Sequence, residues 1–98
     1  MKLEKYNTYK ITATFKDEND QVVTATNVKI YITKYDGTAV IDGADMSAVQ
    51  NSYVYFLDTS NLPELGKYYL RITGTISNRT VSNTEVFELV RCIEEVTN

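Results

Sequence analysis

The chain has 98 residues, enough for one domain with a modest core, and its net charge is −3 with no block of Lys and Arg. This disfavours binding to a nucleic-acid backbone, which requires clustered basic residues. No apolar run approaches the ~20 residues of a membrane span, and the N-terminus lacks the apolar segment of a secretory signal. We therefore expect a protein made in a cytoplasm, unless it was cut from a larger one, with no nucleic-acid or membrane partner.

Seven segments carry the patterning of β-strands and together predict an all-β fold. They are rich in Tyr, Thr, Val and Ile, and most alternate apolar with polar residues, as half-buried strands do. In chain order the predicted strands cover 9–16, 28–35, 38–41, 45–49, 52–57, 67–76 and 80–90. Leu3–Tyr6 is an optional further strand. We expect one domain over 1–98, with its core in about 8–91 and a tail over 92–98.

Turn residues separate these strands. Asp17–Asp20 ends the first one, and Asp36-Gly37 is the preferred pair for a two-residue hairpin. Asp42-Gly43 predicts another turn, and Asn78-Arg79 predicts the turn before the last strand. In that last strand the apolar residues change from odd to even positions between Val81 and Val86, which indicates a bulge near Asn83.

The segment around Tyr68 is the most informative for the fold. A loop ends in Gly66, Tyr68 follows two residues later, and apolar residues then alternate along the strand. This pattern is typical of the E–F corner of an immunoglobulin-like antiparallel β-sandwich, with Tyr68 as the tyrosine corner. The Asp36-Gly37 hairpin joins two strands of one sheet, so these are assigned as C and C′. The prediction is one sheet of C′, C, F and G, and a second of B and E with A and D as optional members.

Successive side chains of a strand point to opposite faces of the sheet, and this alternation separates the expected core residues from those of the expected outer face. The predicted core comprises Ile11, Phe15, Val28, Ile30, Ile32, either Phe56 or Leu57, Tyr68, Leu70, Ile72, Phe87 and Leu89. The opposite parity of strands C, F and G forms one surface, on which we predict a partner-binding site of Lys29, Tyr31, Lys67, Tyr69, Arg71 and Val86. Tyr and Arg are enriched at binding hot spots. The alternative is that these Tyr residues only stabilise the sheet through cross-strand pairs.

Catalytic chemistry is weakly represented in the sequence. The chain has no His, which removes the commonest general base and metal ligand. Cys92 therefore has no His to activate it, and it is interpreted as a small apolar or tail residue. The acidic loop Asp17–Asp20 does not follow the EF-hand pattern and is interpreted as a solvated turn, with calcium binding as the alternative. We expect no enzyme activity, no cofactor and no metal.

One series of motifs spans nearly the whole chain. It runs through Phe15-x-Asp17, Val28-x-Ile30-x-Ile32, Asp36-Gly37, Tyr53-x-Tyr55, Gly66-x-Tyr68, Gly74-Thr75 and Phe87-x-Leu89. The series resembles the small Ig-like sandwiches encoded in tailed-phage and prophage structural gene clusters. It is also similar to MG2-type domains of macroglobulin-like proteins, although Tyr35 stands where that pattern has a Pro.

The phage resemblance implies a function without catalysis. It implies a virion accessory protein of the head surface or the head–tail region, assembled in the cytoplasm of a bacterial host, with a virion protein or a second copy as partner. The alternative is a carbohydrate- or cell-surface-binding domain from a larger bacterial surface protein or multidomain enzyme. Both are expectations, because a fold does not determine a function.

Overall fold

The computed structural model describes residues 1–91, in which eight β-strands and one 3₁₀ turn occur. They are β1 (Lys2–Glu4), β2 (Thr8–Ala13), β3 (Thr26–Lys34), β4 (Ala39–Asp45), β5 (Ser47–Val49), β6 (Ser52–Asp58), the 3₁₀ turn (Thr59–Asn61), β7 (Gly66–Ile76) and β8 (Arg79–Val90). The all-β prediction is confirmed. The strand count is one more than the expected seven, because the optional first strand forms. The predicted tail at 92–98 lies outside the described residues.

The strands form two sheets. The larger has the order β1-β8-β7-β3-β4, and the smaller has the order β2-β6-β5. The strands predicted as C′, C, F and G are thus neighbours in one sheet, as β4, β3, β7 and β8. The optional first strand was assigned to the second sheet, but β1 instead pairs with β8 in parallel. Tyr6, at φ 72°, then turns the chain towards β2 in the other sheet.

The core lies between the sheets, and its fully buried side chains are concentrated towards the end where β7 begins. The buried apolar cluster comprises Leu3, Ala25, Val28, Ile30, Ile32, Met46, Leu57, Leu62, Tyr68, Leu70, Phe87 and Leu89. Leu57 is buried, while its alternative Phe56 is 64% exposed. Ile11, Phe15 and Ile72 pack against the cluster but are only half-buried. Alternation along the strands therefore identifies the inward face correctly, but it overestimates burial at Ile11, Phe15 and Ile72.

Two buried hydroxyls fasten the loops at this end. The Tyr68 hydroxyl donates to the carbonyl of Glu64, four residues upstream, and accepts from the Glu64 N–H at 3.2 Å. The hydrogen bond expected of a tyrosine corner is thus present. The fully buried Thr59 hydroxyl donates towards the carbonyls of Glu4 and Asn7, at 2.8 and 3.0 Å, and accepts from the Asn7 N–H. It joins the β1–β2 connection to the loop that precedes β7.

The predicted turn at Asp42-Gly43 is wrong. Both residues lie inside β4, where Tyr31 pairs with Asp42 and Ile30 with Ala44, so Gly43 is the extra residue of a bulge. Gly43 has φ 83°, in the left-handed region that glycine adopts without the strain a Cβ would cause. An Asp-Gly pair satisfies a bulge as well as a hairpin, which is why the sequence was misinterpreted here.

The predicted bulge near Asn83 is also wrong. The β7–β8 pairing runs in unbroken register from Gly66–Leu89 to Ile76–Arg79. The hairpin turn is Ser77-Asn78, with φ of 51° and 65°, one residue before the predicted pair. The apolar parity slips for a different reason: every residue of β8 from 79 to 86 is exposed, so its inward positions need not be apolar.

Candidate functional site

The candidate site is the outer face of the five-stranded sheet, formed by side chains of β3, β7 and β8 that point away from the core. The register places Tyr31 beside Arg71, Tyr69 beside Val86, and Lys67 beside Glu88. Inward-facing neighbours of these residues, such as Ile32, Leu70 and Phe87, are buried, which fixes the direction of the face. The structure therefore places Lys29, Tyr31, Lys67, Tyr69, Arg71 and Val86 on one continuous surface. Their role in binding stays a prediction.

Tyr31 and Arg71 form the centre of the outer face. The Arg71 guanidinium carbon lies 4.6 Å from the centroid of the Tyr31 ring, a cation–π geometry. The same ring lies against the β4 bulge, where a Cβ on Gly43 would come within 3.3 Å of it. Gly43 thus makes room for Tyr31 against the sheet. No sequence pattern predicts this role, because the Asp-Gly pair indicates a turn.

A second aromatic pair lies beside the first. The rings of Tyr35 and Tyr69 stack with centroids 5.3 Å apart and an interplanar angle of 10°. The Lys67 ammonium lies 5.8 Å from the Tyr35 centroid. Proximity to Tyr35 is the main cause that raises the pKa of Tyr69, and desolvation adds to it. Tyr35 was missed because it follows β3, yet it continues the parity of 29, 31 and 33.

The charges of the outer face are unevenly paired. Lys29 donates to Asp45 at 2.6 Å, and this hydrogen bond raises the pKa of Lys29. Among the described residues, neither Arg71 nor Lys67 forms an ion pair. The face therefore presents two cations, each over a tyrosine ring, that are free to meet an anionic group.

Val86 completes the surface on β8. It is 44% exposed and lies directly across from Tyr69. An exposed valine beside partly buried tyrosines extends the apolar part of the face, while Arg71 and Lys67 supply its charge. Of these residue types, Tyr and Arg are enriched at protein–protein interfaces.

The acidic loop at Asp17–Asp20 has a local structural role. One carboxylate oxygen of Asp17 accepts from the N–H groups of Asn19 and Gln21, both at 2.9 Å. Asp20 lies 3.7 Å from the Lys16 ammonium. Within residues 1–91 no group of three or more acidic or thiol side chains is placed to hold a metal ion. Cys92 lies outside the described residues.

Comparisons with family models, with curated proteins and with solved structures found no match to this chain. Over the part of the chain that the structure describes, no helix is long and apolar enough to cross a membrane.

Proposed function

We propose that the chain is a non-enzymatic immunoglobulin-like domain that binds another protein. The order of β4, β3, β7 and β8 in one sheet, opposite β2, β6 and β5, supports this assignment. So does the Tyr68 hydroxyl, whose hydrogen bond to the Glu64 backbone has the position of a tyrosine corner. In this proposal β4, β3, β7 and β8 correspond to strands C′, C, F and G, and β2, β6 and β5 to B, E and D, with β1 added at the edge of the first sheet.

The observation that carries the binding proposal is the pairing of Tyr31 with Arg71 next to the stack of Tyr35 and Tyr69. Arg71 lies over Tyr31 and Tyr35 stacks on Tyr69, so these side chains are pre-ordered by one another and docking costs little side-chain entropy. A carbohydrate site would need free ring faces for stacking. Here Arg71 covers one face of Tyr31, and Tyr35 covers one face of Tyr69, which favours a protein partner.

The unpaired cations indicate the chemistry of that partner. Arg71 and Lys67 are available for carboxylates, so the matching surface carries acidic side chains around an apolar centre that meets Val86. On the basis of the phage resemblance, the proposed partner is a virion protein. The chain would then be an accessory of the head surface or the head–tail region.

The test is whether the outer face is needed for incorporation into particles. A tagged chain would be produced in an induced phage-producing strain, and its amount in purified particles would be measured by quantitative mass spectrometry. The variant carries Tyr31→Ser, Tyr69→Ser and Arg71→Ser. We expect it to fold, by circular dichroism, and to be lost from particles. Absence of the wild-type chain from particles would refute the virion role.

A matched control uses the outer face of the three-stranded sheet. Phe56 and Val49 are 64% and 50% exposed there, and Lys10 is paired with Phe56 across β2 and β6. Replacing these three with Ser removes two apolar groups and one cation. We expect this control to enter particles like the wild type. If the control is lost while the Tyr31, Tyr69 and Arg71 variant is retained, the binding face is the wrong one.

A further inference from the structure

Gly43 lies at an irregular point of β4, next to the centre of the outer face. In the pairing of β3 with β4, Ile30 lies opposite Ala44. The next residue of β3, Tyr31, lies opposite Asp42, so Gly43 is skipped and forms a β-bulge with φ 83°. Bulges occur next to functional sites, where they change the direction of a neighbouring side chain. The β4 bulge is placed to do this to Tyr31.

The bulge leaves space for the Tyr31 ring. A Cβ on Gly43 would lie 3.3 Å from Cε2, 3.4 Å from the hydroxyl oxygen and 3.5 Å from Cζ of Tyr31. The phenol end of the ring therefore lies on the side of Gly43 where a side chain would project. A side chain there would also hold the backbone at a positive φ that L-residues rarely adopt. Both the space and the backbone conformation at this position thus favour glycine.

The Arg71 guanidinium lies over the same ring. Its central carbon is 4.6 Å from the ring centroid, and Arg71 pairs with Tyr31 across β3 and β7. Within residues 1–91 Arg71 forms no ion pair, so the Tyr31 ring is the group that orders its guanidinium there. The ring is thus flanked by the β4 bulge on one side of β3 and by Arg71 on the other.

The bulge also decides which cation of the outer face is neutralised. Because Gly43 is an extra residue, Asp45 lies opposite Lys29 on the outer face and accepts from its ammonium at 2.6 Å. The next residue, Met46, then turns inward and is 8% exposed. Without the extra residue, the alternation along β4 would direct Asp45 inward and Met46 outward. The bulge therefore pairs Lys29 and leaves Arg71 as the free cation at the centre of the outer face.

We propose that Gly43 is a positioning residue for partner binding, because through the Tyr31 ring it holds the Arg71 guanidinium in place on the outer face. This inference deepens the proposed function and rests on it. A guanidinium that is held before docking can accept a carboxylate of the partner in a two-point contact without losing the rotamer freedom of a long side chain. A side chain at position 43 displaces the ring, and the guanidinium then loses its support.

Gly37 provides a matched control for Gly43. It lies between β3 and β4 with φ 97°, and a Cβ there would meet nothing within 4 Å. Asn is enriched among the non-glycine residues that adopt a positive φ. Gly43→Asn and Gly37→Asn therefore impose a similar backbone strain, but only Gly43→Asn places atoms against Tyr31. Circular dichroism checks that both variants fold.

The first experiment measures the position of Arg71 in the isolated chain by NMR. Protons that lie over an aromatic ring are shielded, so the Arg71 side-chain signals should lie upfield of their positions in Tyr31→Leu, which lacks the ring. We expect Gly43→Asn to lose most of this upfield shift and Gly37→Asn to keep it. Tyr31→Phe retains the ring and should also keep it. The absence of an upfield shift in the wild type, or the same shift in Gly43→Asn, would overturn the proposal.

The second experiment measures the consequence for binding by competition. Wild type and variant, with tags of different mass, are produced together in an induced phage-producing strain, and their ratio in purified particles is compared with their ratio in the lysate. An exposed cation–π contact corresponds to about a two- to fivefold change in affinity, so Gly43→Asn should be depleted by that factor. Gly37→Asn should not be depleted. In a Tyr31→Leu background, Gly43→Asn should cause no further depletion, because the ring through which it acts is absent.

The two experiments separate this inference from the proposed function. Absence of the wild-type chain from particles would refute the virion role, while the NMR shifts would still decide whether Gly43 positions Arg71. If the wild type is incorporated and Gly43→Asn is not depleted, the positioning role in binding is refuted and the proposed function stands. Equal depletion of Gly43→Asn and Gly37→Asn would refute it as well, because backbone strain alone would then explain the loss.

Discussion

The two ends of the β7–β8 hairpin differ in how completely the smaller sheet covers their inward side chains. At the closed end, around Tyr68, Phe87 and Leu89, these side chains are at most 1% exposed. At the open end, Phe15 and Ile72 are half-buried, and Val81 is 37% exposed although it points inward. Strand length explains the difference. β7 and β8 have 11 and 12 residues, but β2 has only 6 and β5 only 3.

Because of this difference, one end of the domain supplies most of the folding stability, while the other end leaves inward-facing side chains exposed. The closed end holds most of the fully buried side chains and therefore most of the burial free energy. At the open end, every residue of β8 from 79 to 86 is exposed. Substitutions at the two ends of the same strand should therefore change the free energy of unfolding by different amounts.

The largest effect is expected for Phe87→Ala. Phe87 is fully buried and stacks on Tyr68 at 5.3 Å, so its loss creates a cavity in the centre of the closed end. We expect a loss of about 3–5 kcal/mol in the free energy of unfolding. Urea unfolding followed by circular dichroism measures it.

The matched control is Val81→Ala, on the same strand and the same face. Because Val81 lies at the open end, we expect a change within about 0.5 kcal/mol. A loss as large as that for Phe87→Ala would show that the open end is packed in solution.

Gly74→Ala should create a steric overlap with Phe15 and Ala25. A Cβ on Gly74 would lie 2.8 Å from the tip of the Phe15 ring and 3.3 Å from the Ala25 Cβ. We expect a loss of about 1–3 kcal/mol from this overpacking. In a Phe15→Leu background the same substitution should cost less, because the ring tip is absent. Equal costs in both backgrounds would show that the Phe15 ring moves away without penalty.

Tyr68→Phe isolates the hydroxyl of the closed end. It removes the hydrogen bonds to the Glu64 backbone and keeps the stack on Phe87, so we expect a loss of about 1 kcal/mol. Tyr53→Phe is the counterpart at the open end, where the hydroxyl donates to the Ala25 carbonyl at 2.7 Å and accepts from its N–H. Tyr53 is half-buried, so its loss should be smaller. An unchanged melting temperature for Tyr68→Phe would remove the support for the corner assignment.

Sequence reasoning performed differently at the two ends. The alternation of apolar and polar residues predicted the inward positions of β3, β7 and the end of β8. The smaller sheet covers these positions, and covered positions require apolar side chains. The same alternation predicted which residues share the outer face. When three strands are neighbours and their inward residues are known, the remaining residues must lie together on the opposite surface. The prediction from alternation failed for the first half of β8, because its inward positions are exposed and can therefore hold polar side chains.

The remaining errors concern contacts that period-two patterns do not encode. Leu62 and Thr59 lie in the loop before β7 and are buried because that loop folds over the closed end. Tyr35 joins the outer face only through its stack on Tyr69, beyond the end of its strand. Gly43 serves a bulge under Tyr31 and not a turn. Each depends on tertiary packing, which a single sequence does not specify.

The smallest effect is expected from the acidic turns of the closed end. Asp58 accepts from the Ser60 hydroxyl at 2.6 Å and from its N–H, and Asp36 accepts from the Thr38 N–H at 2.9 Å. These hydrogen bonds lower the pKa of both carboxyls.

Because the pKa is lower in the folded state, the stabilisation is present above the unfolded pKa of about 3.9 and is lost as the pH falls through the folded value. Asp58→Asn and Asp36→Asn should therefore flatten the acid side of the profile of melting temperature against pH. The shift should be small, since both groups are exposed. An acid side of the profile that is the same in both variants as in the wild type would refute the role of these two carboxylates.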